Sequence, residues 1–301
     1  MDKKVTVVEA CPRDGWQNHK VIIPLETKLA YVKKMIAYGA RKLDVTSFVN
    51  PKYVPQMAGA KELLETLQAY AAEKNLDVEL MALALNKRGA DDAFAAGAKS
   101  IQFVLSASEE HNMRNSRCSI DQSMEAFKSM AGEIKGITVT LALACVFGSP
   151  FGDEVPADRI RKLCQEAFDV GVSRIGLADT AGISSPTHTR DILRALKEEF
   201  GLEKFSVHLH DSRGMGLVNA FVAVEEGIRS VDASLGGMGG CPFVPRAKGN
   251  IATEDLVNML HVMGYETGYD LNQVITAALE MGETIGAEIN TCLTKVGTCN
   301  L

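Results

Sequence analysis

The sequence predicts an α/β fold, specifically a (β/α)8 TIM barrel, and three observations carry that prediction. Short apolar, β-branched stretches alternate with longer amphipathic ones along the chain. Eight such apolar stretches can be counted. The length of 301 residues suits eight βα units. Near-continuous apolar strands, each followed by a helix, call for a parallel sheet covered on both faces. A doubly wound sheet is the alternative, and eight units at this length favour the barrel.

The strand candidates, in order, are VTVVEA (5–10), KLDVTSF (42–48), VELMALAL (78–85), SIQFVLS (100–106), ITVTLALACV (137–146), RIGLADT (174–180), FSVHLHD (205–211) and SVDASLGG (230–237). Between them, Leu25 to Tyr38 places Leu29, Val32, Met35 and Ile36 near helical spacing. Pro156 to Val170, Pro186 to Glu199 and Met215 to Gly227 read the same way. Pro156 and Pro186 suit a first helical turn, where a missing N–H costs little. No Pro/Gly/Ser-rich linker and no short-period repeat divides the chain. Residues 1–301 are therefore expected to form one catalytic domain, with 265–301 an added helical segment packed outside the barrel or across a mouth.

Composition excludes several classes of function. The chain is 46% hydrophobic and 23% charged, with a net charge of −6, and it carries no basic stripe for nucleic acid. No apolar run is long enough to span a bilayer. The opening MDKKVTVVEA has neither a secretory h-region nor an Arg-rich presequence, so a cytoplasmic location is expected. Seven scattered cysteines without a CxxC pair argue against a disulfide scaffold or structural zinc.

In a TIM barrel the active site lies at the C-terminal ends of the strands, and reactive side chains fall there. The seventh strand ends in His208-Leu209-His210-Asp211, whose two imidazoles point to one side. They are either a pair of metal ligands or two buried, hydrogen-bonded histidines. The first strand runs into Cys11-Pro12-Arg13-Asp14-Gly15-Trp16-Gln17-Asn18. Asp14 can offer a carboxylate oxygen to a metal and Arg13 a rigid donor fork to an anionic oxygen, or the two form a plain surface ion pair. After the eighth strand, Asn250 either caps the helix opening at Thr253-Glu254-Asp255 or offers an amide oxygen. Two imidazoles, one carboxylate and one amide oxygen suit Mg²⁺ or Mn²⁺ with positions left open for substrate. The stretch SLGGMGGCPFVPRAKGN at 234–250 places the lone thiol of Cys241 among glycines, as a pliable turn with a chance cysteine or as a working loop.

Together these residues resemble the 3-hydroxy-3-methylglutaryl-CoA lyase family. The similarity lies in RDGWQN (13–18), TSFVNPKYVPQM (46–57), ADTAG (178–182), HLHD (208–211), GGMGGCPF (236–243) and GNIATEDLV (249–257), in that order. The RDG start and the HxH pair are shared with a wider superfamily of metal-dependent barrel lyases, synthases and aldolases. The glycine loop and the TSFVxPKxVPQM stretch are more specific to the lyases. The resemblance implies that Asp14, His208, His210 and Asn250 bind a divalent metal. It implies that Arg13 steadies an enolate oxygen, and that Cys241 on a closing loop takes part in proton transfer. Asp179 would position groups around the substrate hydroxyl, and His208 would double as an acid. Gln17, Lys20, Asp44, Ser47 and Thr180 would join Arg13 in binding substrate, with coenzyme A entering as part of that substrate. The implied partner is a small acyl-CoA, the implied assembly a homodimer, and the implied reaction a retro-Claisen cleavage to acetyl-CoA and acetoacetate.

The chain also departs from the family pattern. Asp44 stands where the lyases usually carry glutamate, and Trp16 where they carry leucine, which would reshape the acyl pocket. The stretch 141–156 lacks the cysteine that commonly precedes its proline, and 289–301 is less basic than usual. These departures point to other branched 3-hydroxyacyl-CoA substrates as an alternative. Cys299 is either a redox-sensitive thiol or an idle one at the tail, and Cys118, Cys145, Cys164 and Cys292 read as fillers. Cys11 is expected to pack under the catalytic turn. His19, His111, His188 and His261 stand apart from the cluster, although His19 lies close to it in sequence. The rivals are a Claisen synthase of the superfamily, an aldolase for free 4-hydroxy-2-oxo acids, and a silent metal-binding scaffold. The set Arg13, Asp14, His208, His210, Cys241 and Asn250 argues against silence.

Overall fold

The computed structural model describes residues 3–240, 249–289 and 291–298. Eight strands pair in chain order, all parallel, into a closed barrel: β1 (Thr6–Glu9), β2 (Lys42–Ser47), β3 (Glu79–Leu83), β4 (Ser100–Ser106), β5 (Thr138–Ala144), β6 (Arg174–Asp179), β7 (Phe205–Leu209) and β8 (Ser230–Ala233). Closure is made by β1 against β8, from Thr6 opposite Ser230 to Glu9 opposite Ala233. The helices form the outer layer: α1 (Leu25–Ala37), α2 (Ala60–Glu73), α3 (Lys87–Ala95), α4 (Glu109–Ser116), α5 (Ile120–Glu133), α6 (Ala157–Asp169), α7 (Pro186–Phe200), α8 (Gly216–Glu226), α9 (Thr253–Val262), α10 (Leu271–Ile285) and α11 (Cys292–Val296). The core lies between sheet and helices. Leu43, Val45, Leu80, Ile101, Leu141, Ile175 and Val207 meet apolar helix faces there, for example Val32 and Met35 of α1.

All eight expected strands are present, and their ends move. The eighth stops at Ala233 instead of 237, because Leu235–Gly237 folds into a tight turn with Gly236 at φ +68°. The seventh stops at Leu209, and His210 instead bridges Asn250 in the opposite sense. Pro186 opens α7 as expected, whereas Pro156 sits one residue before α6. Two helices, not one, join β4 to β5. Each has its own cap: the Ser108 hydroxyl accepts from His111 N–H, and Ser119 forms a capping box with Gln122. This pair stands beside the mouth of the barrel on the β4 side.

Helix α10 lies on the outside against α1 and α9. The Tyr31 hydroxyl meets the Thr284 hydroxyl at 2.7 Å, and Lys34 pairs with Glu280. Farther on, the Thr291 hydroxyl donates to Glu254 at 2.8 Å, and Ile289 covers Gly236 at the rim.

One carboxylate ties the closure together. Glu9 is wholly buried and accepts four hydrogen bonds. They come from Cys11 N–H at 3.1 Å, Leu235 N–H at 2.9 Å, the Tyr38 hydroxyl at 2.8 Å and the Thr253 hydroxyl at 2.9 Å. These donors belong to the turn after β1, the turn after β8, the end of α1 and the start of α9. Glu254, also buried, accepts from Gly236 N–H at 3.1 Å and from Thr291. Burial pushes its carboxyl up to about 7, and those two hydrogen bonds only partly oppose the shift.

Glu9→Ala leaves four buried donors unpaired, each costing about 1–3 kcal/mol if water does not reach it. It should lower unfolding stability by about 3 kcal/mol or more, read as a drop in urea midpoint; an unchanged midpoint would contradict the arrangement. Glu254 contributes stability that is complete below its ordinary value near 4.5 and is lost as pH rises through about 7, since the folded state holds the proton longer. Glu254→Gln should therefore flatten the fall in stability between those two pH values. Identical slopes in the two proteins would rule the effect out.

Candidate active site

A cavity of about 610 Å³ opens at the C-terminal end of the barrel. Its wall on the β7–β1 side carries the predicted cluster. After β1 the chain enters a wide helical turn, Cys11–Gly15, in which Asp14 N–H and Gly15 N–H both return to the Ala10 carbonyl. This turn aims Arg13 and Asp14 into the cavity. The Arg13 Nε donates to Asp44 at 2.6 Å and its Nη1 to Asp14 at 2.7 Å. A guanidinium held by two carboxylates keeps a fixed direction. Burial opposes the Arg13 charge, but Asp44 and Asp14 hold it firmly on. Asp14 is held well below the usual carboxylate range, with Arg13 and the two histidines overcoming its burial. Burial pushes Asp44 up to about 6, despite Arg13 beside it.

His208 and His210 face the same cavity, with Nε2 atoms 3.3 Å apart. His208 Nδ1 lies 3.2 Å from an oxygen of Asp232 on β8. A carboxylate can only accept, so that nitrogen carries the hydrogen and Nε2 presents its lone pair to the cluster. Burial opposes protonation of His208, yet Asp232 and Asp14 raise it; His210 is pushed down to about 4 by burial and by its neighbour. Among the described residues, ligand atoms of Asp14, His208 and His210 lie within 4.8 Å of one another. Asn250 closes the fourth side. The backbone of 249–251 is stitched to the end of β7 by Asp211 N–H to Gly249 O at 2.9 Å and Ile251 N–H to Leu209 O at 3.1 Å. The Asn250 Nδ2 donates to Asp14 at 2.7 Å and to the Met238 carbonyl at 3.0 Å. Offering the amide oxygen to a cation takes a half-turn of the amide. A carboxylate, two imidazole lone pairs and one amide fit a hard or borderline divalent ion.

The glycines at the root of the loop have a packing role. Gly239 has φ +113°, and a Cβ there would fall 2.5 Å from Asn250 Nδ2. A Cβ on Gly249 would fall 1.9 Å from the Gly239 carbonyl. The two backbones cross in contact beside Asp14, and side chains are excluded for that reason. Gly240 borders the cavity. Cys241, like Cys299, lies outside the described residues.

Gln17 and Thr180 also line the cavity, and the Thr180 hydroxyl accepts from Cys145 N–H at 2.9 Å. The TSFVNPKYVPQM stretch contributes Val49 and Val54. Other expectations are corrected by geometry. Asp179 points away from the cavity, because its strand neighbours Ala178 and Thr180 face in. Its two oxygens instead accept from Ile183 and Ser184 N–H, each at 3.0 Å, and hold the loop before α7. Lys20 is exposed and off the cavity wall, and Ser47 is fully buried behind it. Trp16 does not shape the acyl pocket: it is wholly buried in the core under the turn. His19 turns to the Ile285 carbonyl at 3.0 Å. Cys118 is no filler, since it lies on the cavity wall beside Ser123. Sequence reasoning missed Asp232 and Gln102, both on the cavity wall. A lone polar residue facing inward in an otherwise apolar strand was the available signal.

The model of the HMGL-like family matches residues 4–280. The chain belongs to the HMGL-like family. A (R)-citramalyl-CoA lyase of Chloroflexus aurantiacus is 38% identical, over 97% of this chain and 95% of its own. A hydroxymethylglutaryl-CoA lyase of Bacillus subtilis is 35% identical, over 94% of each. The crystal structure of a Bacillus subtilis HMG-CoA lyase superposes with a TM-score of 0.91 at 33% identity, over 98% of this chain and 99% of that one. An HMG-CoA lyase of Acinetobacter baumannii in complex with coenzyme A and 3-methylmalate gives a TM-score of 0.91 at 32% identity, over 99% of this chain and 96% of that one. The closed barrel found here is therefore the fold of these HMGL-like relatives.

Trp16→Leu should cost about 1–3 kcal/mol of stability, as core substitutions do. It should leave the relative rates on substrates of different acyl size unchanged. A shift in acyl preference in the purified variant would return Trp16 to the pocket.

Proposed function

We propose that the protein is a divalent-metal-dependent carbon–carbon lyase that cleaves 3-hydroxy-3-methylglutaryl-CoA to acetyl-CoA and acetoacetate. The observation that carries this is the cluster of Asp14, His208, His210 and Asn250 facing a clamped Arg13 in one cavity of an HMGL-like barrel. In the reaction the 3-hydroxyl loses its proton and the C2–C3 bond breaks. C3 becomes a ketone, and the electron pair becomes an enolate on the thioester half. A proton then returns to C2.

Asp14, His208, His210 and Asn250 would hold Mg²⁺ or Mn²⁺, which would supply Lewis acidity for deprotonation of the 3-hydroxyl. Arg13 meets the charge that grows on the thioester oxygen. Because Asp44 and Asp14 fix its direction beforehand, little reorganisation is needed as the charge appears. Both ring nitrogens of His208 are engaged, one by Asp232 and one by the cluster. We therefore assign His208 to the ligand set and proton delivery at C2 to Cys241. Thr180 and Gln17 contact the substrate from the rim. Asp179 acts at one remove by holding the loop that follows Thr180.

A second reading has its own support: the 38% identity to a (R)-citramalyl-CoA lyase. The chemistry is shared, and the second product would be pyruvate instead of acetoacetate.

The test is acetyl-CoA release from both thioesters with Mg²⁺ or Mn²⁺, before and after chelation, with the keto acid identified. Arg13→Gln should lower turnover by about 10²–10³. Asp14→Asn should abolish Mn²⁺ binding, read by electron paramagnetic resonance. Turnover that survives chelation, or a near-normal Arg13→Gln enzyme, would overturn the mechanism.

A further inference from the structure

The metal cluster and Arg13 occupy the β7–β1 side of the mouth. The opposite wall, from β4 to β6, has a different character. Its cavity-facing residues are Gln102 and Val104 on β4, Ala142 and Ala144 on β5, and Gly176 and Ala178 on β6. Val104 pairs with Ala142 and Ala142 with Gly176, so three small or apolar residues lie side by side across the sheet. Two residues farther down β4, about 6.6 Å deeper, lies Gln102.

Gln102 is 8% exposed, and its carboxamide makes no hydrogen bond among the described residues although it faces the cavity. A carboxamide turned into a cavity without a protein partner has both its donor and its acceptor available to a ligand. The other five strand residues that face the cavity here are alanine, glycine or valine; the polar side chains of His111, Asn115, Ser116 and Ser123 on the α4–α5 pair and of Thr180 after β6 line the same cavity. Among the described lining residues Arg13 is the sole Lys or Arg, and both its hydrogen bonds end on carboxylates.

We propose that Gln102 is a specificity-determining residue whose Nε2–H donates to the carboxylate at the far end of the acyl group. The small residues above it make the slot through which that end passes. A substrate whose hydroxyl is held on the β7–β1 side, and whose thioester leaves through the mouth, directs its other end at the β4–β6 wall. The inference rests on the lyase reading and names the acyl class: 3-hydroxyacyl thioesters ending in a carboxylate.

The experiment compares wild type with Gln102→Leu and Gln102→Glu. Acetyl-CoA release from 3-hydroxy-3-methylglutaryl-CoA and citramalyl-CoA is measured first. Glutaryl-CoA, which ends in a carboxylate, and butanoyl-CoA, which does not, then serve as competitive inhibitors. A hydrogen bond to a charged group is lost in Gln102→Leu, so the inhibition constant for glutaryl-CoA should rise about 10- to 100-fold relative to that for butanoyl-CoA. Gln102→Glu, which sets like charges together, should raise the ratio further. A ratio unmoved in both variants of an active enzyme overturns the role of Gln102 and leaves the lyase reading standing. A wild type that cleaves neither thioester overturns both.

Discussion

The buried carboxylate of Glu9 is the constraint on which the rest depends. A barrel closes only if its first and last strands meet, and the loops leaving them then compete for the same space. Glu9 resolves that competition by accepting from both loops at once, from Cys11 and Leu235, and from two flanking helices through Tyr38 and Thr253. Burial raises its carboxyl toward the neutral form, and the four donors oppose that shift. The turn that carries Arg13 and Asp14 starts two residues after Glu9, and the glycine-rich turn starts beside Leu235. Both halves of the cluster are thus referred to one anchor.

The site above this anchor is rigid in its charges and adaptable in its volume. Arg13 has almost no freedom between Asp44 and Asp14. His208 is oriented by Asp232, and Asn250 is carried on a backbone stitched to β7. Across the mouth, Ala142, Ala144, Gly176 and Ala178 leave space. The division follows from the chemistry. Charge developing in a transition state needs donors fixed in advance, whereas an acyl end needs a slot of the right shape and one polar contact.

Much of this was legible in the residues. Period-2 imidazoles at 208 and 210 had to share a face, since strand geometry allows nothing else. An Arg-Asp pair directly after a barrel strand had to lie at the mouth. Asp179 misled for the same reason that His208 did not: one position along a strand reverses the facing of a side chain. The motif marks the residue, but the register decides its direction. Trp16 misled because a tight helical turn sends successive side chains to opposite sides, one into the cavity and one into the core.

By itself the sequence predicted the eight-stranded parallel barrel and placed Asp14, His208, His210 and Asn250 at strand ends as candidate donors. These are local properties, set by hydrophobic period and side-chain chemistry. Only the tertiary structure decided that Asp44 and Asp14 share Arg13, that Asp232 orients His208, that Glu9 and Glu254 brace the rim, and that Gln102 waits unpartnered on the far wall. Those pairings join residues up to 244 positions apart, from Glu254 with Gly236 at 18 positions to Glu9 with Thr253 at 244. Barrel closure and strand register set such distances, and neither is written in any short stretch of chain.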